Sequence, residues 1–131
     1  MEKYFANYNQ SLALKELGYD EPCFGWYEHN GNFYYCYQEG LVPPSPSKKL
    51  IKGCCLSPLK SQVFEWFRDK HNLISCVRTI SYGCAIDEQE FYYEIVSVRG
   101  VESYEIYNKY EEAESACINK LIEIVENNLD K

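Results

Sequence analysis

Cys23-Phe24-Gly25-Trp26-Tyr27-Glu28-His29-Asn30-Gly31-Asn32-Phe33-Tyr34-Tyr35-Cys36-Tyr37-Gln38 carries the clearest short-range signal in the chain. Asn30-Gly31 lies between two aromatic runs. That dipeptide suits a two-residue type I′ turn, because both central residues of such a turn need positive φ. The register follows: Tyr27 faces Tyr34, Trp26 faces Tyr35 and Phe24 faces Tyr37. One face then carries Phe24, Trp26, Phe33, Tyr35 and Tyr37, and the other carries Tyr27 and Tyr34 beside Gly25. A two-stranded hairpin is marginal alone, so one face must pack on something.

Upstream, Asn9 to Leu17 reads as a helix with Asn9 as cap, Leu12, Ala13, Leu14 and Leu17 on its apolar side, and Gly18 as its left-handed stop. Downstream, residues 39–56 show no periodicity and hold prolines and lysines, which predicts an irregular loop, longer than connections usually are. Ser57-Pro58 predicts an N-cap and first helical position, opening a helix to about Asn72 whose stripe is Leu59, Val63, Trp66, Phe67 and the stem of Lys70. Strands are expected over about Leu73–Ala85, Glu90–Arg99 and Val101–Tyr107, with turns at Asp87-Glu88-Gln89 and Arg99-Gly100. The Tyr104/Ile106 side of the last strand should lie under the final helix. Asn108 caps that helix with Glu111 three residues on, and its apolar surface is broad. The reading is α+β: an antiparallel sheet, built from the aromatic N-terminal hairpin and a three-stranded C-terminal meander, with helices packed on one face. A chain of 131 residues is expected to make a single domain.

Composition narrows the function. The chain holds 13 basic and 20 acidic side chains, net −7, which disfavours nonspecific nucleic-acid binding and anionic membrane surfaces. From Asp87 onward there are 12 acids and four bases, whereas Lys48 to Lys60 holds four lysines and no acid. No stretch approaches the ~20 apolar residues of a membrane span. Met1 to Asn7 turns polar at once, which predicts no secretory signal and a cytoplasmic setting. The seven cysteines then read as free thiols, mostly small buried hydrophobes. They form no C-x-x-C, and His29 and His71 are not at a helical metal spacing, so no metal or other cofactor is expected. No nucleophile-elbow, zincin or phosphate-loop pattern occurs, and no catalytic residue is assigned.

Two binding surfaces remain. Tyr is large, stiff and tolerant of water, and interfaces favour it. Trp26, Tyr27, Tyr34, Tyr35 and Tyr37 are the candidates for holding a protein partner. Lys48, Lys49 and Lys52, with the helix start at Ser57, are the candidates for a small anion such as a phosphorylated or nucleotide-like compound.

Three stretches suggest a family: Leu14-Lys15-Glu16-Leu17-Gly18-Tyr19-Asp20-Glu21-Pro22-Cys23, Trp66-Phe67-Arg68-Asp69-Lys70-His71, and Tyr110-Glu111-Glu112-Ala113. Together they resemble uncharacterised short acidic bacteriophage and prophage proteins of gut bacteria, over about residues 10 to 128. The resemblance implies a phage-related setting in the host cell cytoplasm, where small acidic proteins act by binding host factors. It gives no residue a role. The expectation is a small non-enzymatic binding protein that acts on a host protein through a Tyr-rich acidic surface. The alternative is a binder or sponge for a small anionic ligand.

Overall fold

The computed structural model describes residues 2–35, 54–80, 89–103 and 105–129. The fold is α+β, with three α-helices and two antiparallel three-stranded sheets among the described residues. The chain sorts into two compact units, Met1–Val63 and Phe64–Lys131.

The first unit starts with a short 3-10 turn, Glu2–Tyr4, and helix α1, Tyr8–Glu16. The cap is Asn7, two residues earlier than Asn9. Its side chain accepts from the Gln10 N–H, while the Gln10 side chain accepts from the Asn7 N–H, so two orphan donors are satisfied reciprocally. Gly18 does stop the helix. It sits at φ +95°, its N–H donates to Lys15 O, and the Tyr19 N–H donates to Leu14 O, the paired bonds of a Schellman ending.

Strands β1 (Gly25–Tyr27) and β2 (Phe33–Tyr35) form the hairpin, but one residue out of the predicted register. Trp26 lies opposite Tyr34, and Tyr27 opposite Phe33. Gly31 alone in the loop is left-handed, at φ +83°, and its N–H donates to Glu28 O. This is a type I turn closed by a left-handed glycine, a three-residue loop rather than the two-residue type I′ loop. The slip puts Gly25, Tyr27, Phe33 and Tyr35 on one face, and Trp26 and Tyr34 on the other.

A long-range contact explains the choice. Phe5 lies on the first face, with its ring 5.0 Å from Phe33 and 6.3 Å from Tyr35. A Cβ at position 25 would come within 2.9 Å of both the Phe5 and Phe33 rings, so the observed register sets the missing side chain where the rings need room.

Cys55–Ser57, expected to be the end of the loop and a helix cap, is instead strand β3. It pairs antiparallel with β1 and completes the sheet order β2-β1-β3, with α1 packed on β3. Phe5 bridges to Leu59, and the Ala6 N–H donates to Pro58 O. Helix α2 therefore begins at Lys60, where Gln62 accepts from the Leu59 N–H. It runs to His71 and buries Val63, Trp66 and Phe67, while Lys70 is exposed. Asn72 ends it at φ +55°, in the left-handed conformation that Asn tolerates better than most residues.

The second unit holds the meander. Strands β4 (Ile74–Ile80), β5 (Glu90–Ser97) and β6 (Gly100–Ser103) pair antiparallel in that order. Gly100, at φ +119°, opens the second hairpin. Helix α3, Tyr110–Leu129, packs on β5 and β4. It buries Ala113, Cys117, Ile118, Leu121, Ile122 and Val125, the broad apolar surface its sequence indicates. Tyr93 and Ile95 are the buried residues of β5.

One expectation fails here. Glu94 pairs with Ser103, but Phe91 pairs with Tyr107, so the register shifts by one residue between the two pairings. That is the count of a bulge, which reverses the alternation beyond it. Tyr107 turns to the Phe91 side, and Ile106 is 54% exposed rather than buried under α3. Tyr104, the Asp87-Glu88 turn and the predicted strand end at 81–85 lie outside the described residues.

Candidate functional site

The hairpin candidates separate. Tyr27 is 3% exposed, with its ring 5.3 Å from Tyr8 and 5.2 Å from Phe33, and its hydroxyl donates to a Glu2 carboxylate oxygen at 3.3 Å. Tyr35 is half-buried on the same face, stacked 5.8 Å from Phe33. These two belong to the aromatic packing around Phe5. Trp26 and Tyr34 come together on the opposite face, half-buried and stacked at 5.9 Å, where the Tyr34 hydroxyl reaches Glu28 at 3.5 Å. Phe24, 56% exposed, precedes them in the chain. Trp26 and Tyr35, predicted on one face, are on different ones.

Tyr37, Lys48, Lys49 and Lys52 lie outside the described residues. Ser57 is described, and its hydroxyl faces inward. It donates to Ala6 O at 2.7 Å, and the Ser11 hydroxyl donates to the same carbonyl at 3.3 Å. Fully buried in β3, Ser57 ties the N-terminal segment to the sheet.

A Tyr-and-carboxylate surface stands in the second unit, built by the bulge. The pairing of Phe91 with Tyr107 puts their side chains on one face, and Tyr107 stacks 6.4 Å from Tyr93, two residues along β5. Tyr110, in the first turn of α3, meets Phe91 edge to face at 5.9 Å. The result is two ring pairs, Tyr110–Phe91 and Tyr107–Tyr93, joined through the backbone pairing of Phe91 with Tyr107 into a row whose Tyr93 end is buried and whose Tyr110 end is 45% exposed. Glu105, Glu111 and Glu112 are exposed around it, with Lys109 among them. The first-turn acids also suit the positive end of the helix dipole, so they stabilise α3 whatever else they do.

The electrostatics keep the phenols neutral. Burial, reinforced by Glu105, raises Tyr107 above the ordinary phenol range, and burial followed by Glu114 and Glu111 raises Tyr110. Each presents a phenol oxygen that can accept a hydrogen bond and a π face beside carboxylates. Both features suit an ammonium or guanidinium group.

The thiols contribute no such chemistry. Cys23, Cys54, Cys55, Cys76 and Cys117 are free. Burial pushes Cys23 up to about 12, Cys55 up to about 11 and Cys117 up to about 12, so all three stay protonated near neutrality. His71 packs 4.9 Å from Trp66 and 5.8 Å from Phe67, and burial lowers its pKa. No described helix is long and apolar enough to cross a membrane.

No family model, curated protein or solved structure matches the chain. Sequence reasoning missed the Phe91–Tyr110 row. Its signal is there in retrospect: Tyr107, Tyr110, Glu105, Glu111 and Glu112 fall within eight residues. Only the pairing across to β5 makes them a surface.

Proposed function

We propose that this chain is a non-enzymatic binding module that holds a basic segment of a partner protein against the Tyr110–Phe91–Tyr107 row. The observation that carries the reading is the adjacency of half-exposed aromatic rings and exposed carboxylates in a unit with 14 acidic and seven basic side chains. Aromatic faces attract Lys and Arg through the ring quadrupole, by about 0.5–1 kcal/mol at exposed sites. The surrounding negative field speeds encounter and selects against acidic partners. The resemblance to phage and prophage proteins supplies the setting, a host protein in the host cytoplasm.

The test uses two unstructured peptides of equal length, one rich in Lys and Arg, the other in Asp and Glu. Binding is measured by calorimetry at low and high salt. The basic peptide should bind, weaken with salt, and lose about tenfold in affinity when Tyr110→Ala is combined with Glu111→Lys. Trp26→Ala should leave its affinity unchanged. If both peptides bind alike, or if Trp26→Ala causes the loss, the surface is misassigned.

A further inference from the structure

Among the described residues β4 is the longest strand at a sheet edge: it runs for 7 residues, Ile74–Ile80, and pairs with β5 alone. We propose that this edge docks a second copy of the chain, β4 against β4 and antiparallel about a two-fold axis at Val77, so that the two meanders join into one continuous sheet.

The direction of the edge-facing backbone groups follows from β5. The Phe91 N–H donates to Tyr107 O and its C=O accepts from the Tyr107 N–H, so both point away from β4. Backbone groups alternate sides along a strand, and the β4–β5 register is unbroken from Ile80↔Glu90 to Ile74↔Val96. Thr79, opposite Phe91, is therefore in a pair without mutual hydrogen bonds, and so are Val77 and Ser75. The N–H and C=O groups of these residues point away from β5, toward the edge. A row of such groups is a template for another strand.

The residues choose the occupant. A two-fold contact needs a surface complementary to itself. Ile74-Ser75-Cys76-Val77-Arg78-Thr79-Ile80 reads, from either end, as Ile, a hydroxyl residue, a third residue, then Val. Pairing centred on Val77 sets Ile74 opposite Ile80 of the copy, Ser75 opposite Thr79 and Val77 opposite its own counterpart. Ser75, Val77 and Thr79 then fall at the hydrogen-bonded positions, the ones where their backbone groups already point outward. On the face away from Tyr93 and Ile95, Ile74 is 54% exposed and pairs with Val96, which pairs with 61% exposed Val101. Ile80 of the copy would extend that apolar stripe.

Charge fits the same occupant. Edges are commonly guarded by lysine, proline or a bulge. Strand β4 has none of these, and its single charged residue, Arg78, is bonded to Glu94 of its own sheet at 2.9 Å. In the pairing Arg78 lies across from Cys76 of the copy, whose neighbour on β5 is Glu94. The seam then holds an Arg78 and a Glu94 from each copy and is electrically balanced. Helix α3 packs on β5 and β4. With strands about 4.8 Å apart, the two β5 strands would stand about 14 Å apart, enough for two helices that need about 8–10 Å.

The experiment follows the full chain by sedimentation equilibrium and by amide hydrogen exchange, from micromolar to millimolar concentration. A monomer–dimer equilibrium should appear. The Ser75, Val77 and Thr79 N–H groups should gain protection as the dimer fills, while the outward N–H of Val101, on the opposite edge, should not. Thr79→Pro removes one edge-facing donor and none of the β4–β5 bonds, so it should raise the dimer dissociation constant about tenfold or more. If that variant loses its native spectrum, Thr79→Asp takes its place, with a smaller rise expected. Each chain carries net −7, so the dimer should be no weaker at high salt, unlike the basic-peptide complex. Tyr110→Ala should leave the dimer unchanged. A chain that stays monomeric at millimolar concentration, assembly that continues past the dimer, protection gained at Val101 instead of β4, or a proline variant that dimerises like the parent would each overturn the proposal.

Discussion

The two units spend similar aromatic content in opposite ways. Residues 1–63 hold 11 aromatic side chains with six acidic and six basic ones, and residues 64–131 hold ten with 14 acidic and seven basic. In the first unit Phe5 and Tyr27 are buried in the core, and half-buried Tyr8, Phe33 and Tyr35 pack ring on ring against them. In the second, the core is an aliphatic helix face, Ile118, Leu121, Ile122 and Val125, and the rings of Phe91, Tyr107 and Tyr110 sit at its margin among carboxylates. Tyr content alone therefore does not mark an interface. A tyrosine is free to meet a partner only where aliphatic residues already fill the interior.

The largest test of that contrast is alkaline. Cys23, Cys55 and Cys117 have folded pKa values raised from 9.0 to about 12, 11 and 12. Their contribution is fully present below pH 9, where both states are protonated. As pH rises further the unfolded chain ionises while the folded chain does not, so stability falls. The slope is about 1.4 kcal/mol per pH unit for each thiol, about 4 for the three together. Urea titrations in reductant from pH 9 to about 10, below the range where the raised phenols of Tyr27, Tyr93, Tyr107 and Tyr110 add their own decline, should show it. Cys23→Ala with Cys55→Ala, both in the first unit, should remove roughly two thirds of it there. A flat profile would mean the thiols are hydrated.

Next in size is Phe5→Ala. Phe5 is 3% exposed and touches both hairpin rings, so its loss should cost about 3–5 kcal/mol in chemical denaturation. A cost near zero would make the first unit's aromatic core a surface feature and erase the contrast.

Gly25→Ala should follow, at about 1–3 kcal/mol, because the new Cβ meets two aromatic rings at 2.9 Å and one must move. If the variant is as stable as the parent, room for the rings did not choose the hairpin register.

The smallest effect belongs to Tyr110→Ala. Half-exposed at the rim, it should change stability by under about 1 kcal/mol. A loss comparable to that of Phe5→Ala would place Tyr110 in the core and remove it from the binding surface.

Much of the architecture is legible in the residues themselves. The α+β class, the stop at Gly18, the turn at Gly100 and the apolar breadth of α3 all come from local chemistry: a left-handed glycine, or a helical stripe wide enough to need a sheet beneath it. The charge imbalance past Asp87 is equally plain in the sequence and anticipates the acidic second unit. What the sequence could not settle is register. Asn30-Gly31 fits two turns that differ by one residue, and each sends the same aromatic residues to opposite faces. Phe5, some twenty residues away in sequence, fits against only one of those faces.

The same holds at the candidate sites. Ser57-Pro58 has the composition of a helix cap, but the Ala6 carbonyl draws the hydroxyl into a sheet. Tyr107 and Ile106 exchange sides because one extra residue intervenes in the pairing with β5. Propensity and period are properties of a few neighbouring residues, and they determined the elements. Which face each element buries depends on contacts between residues far apart in the chain, and only the tertiary structure decided that.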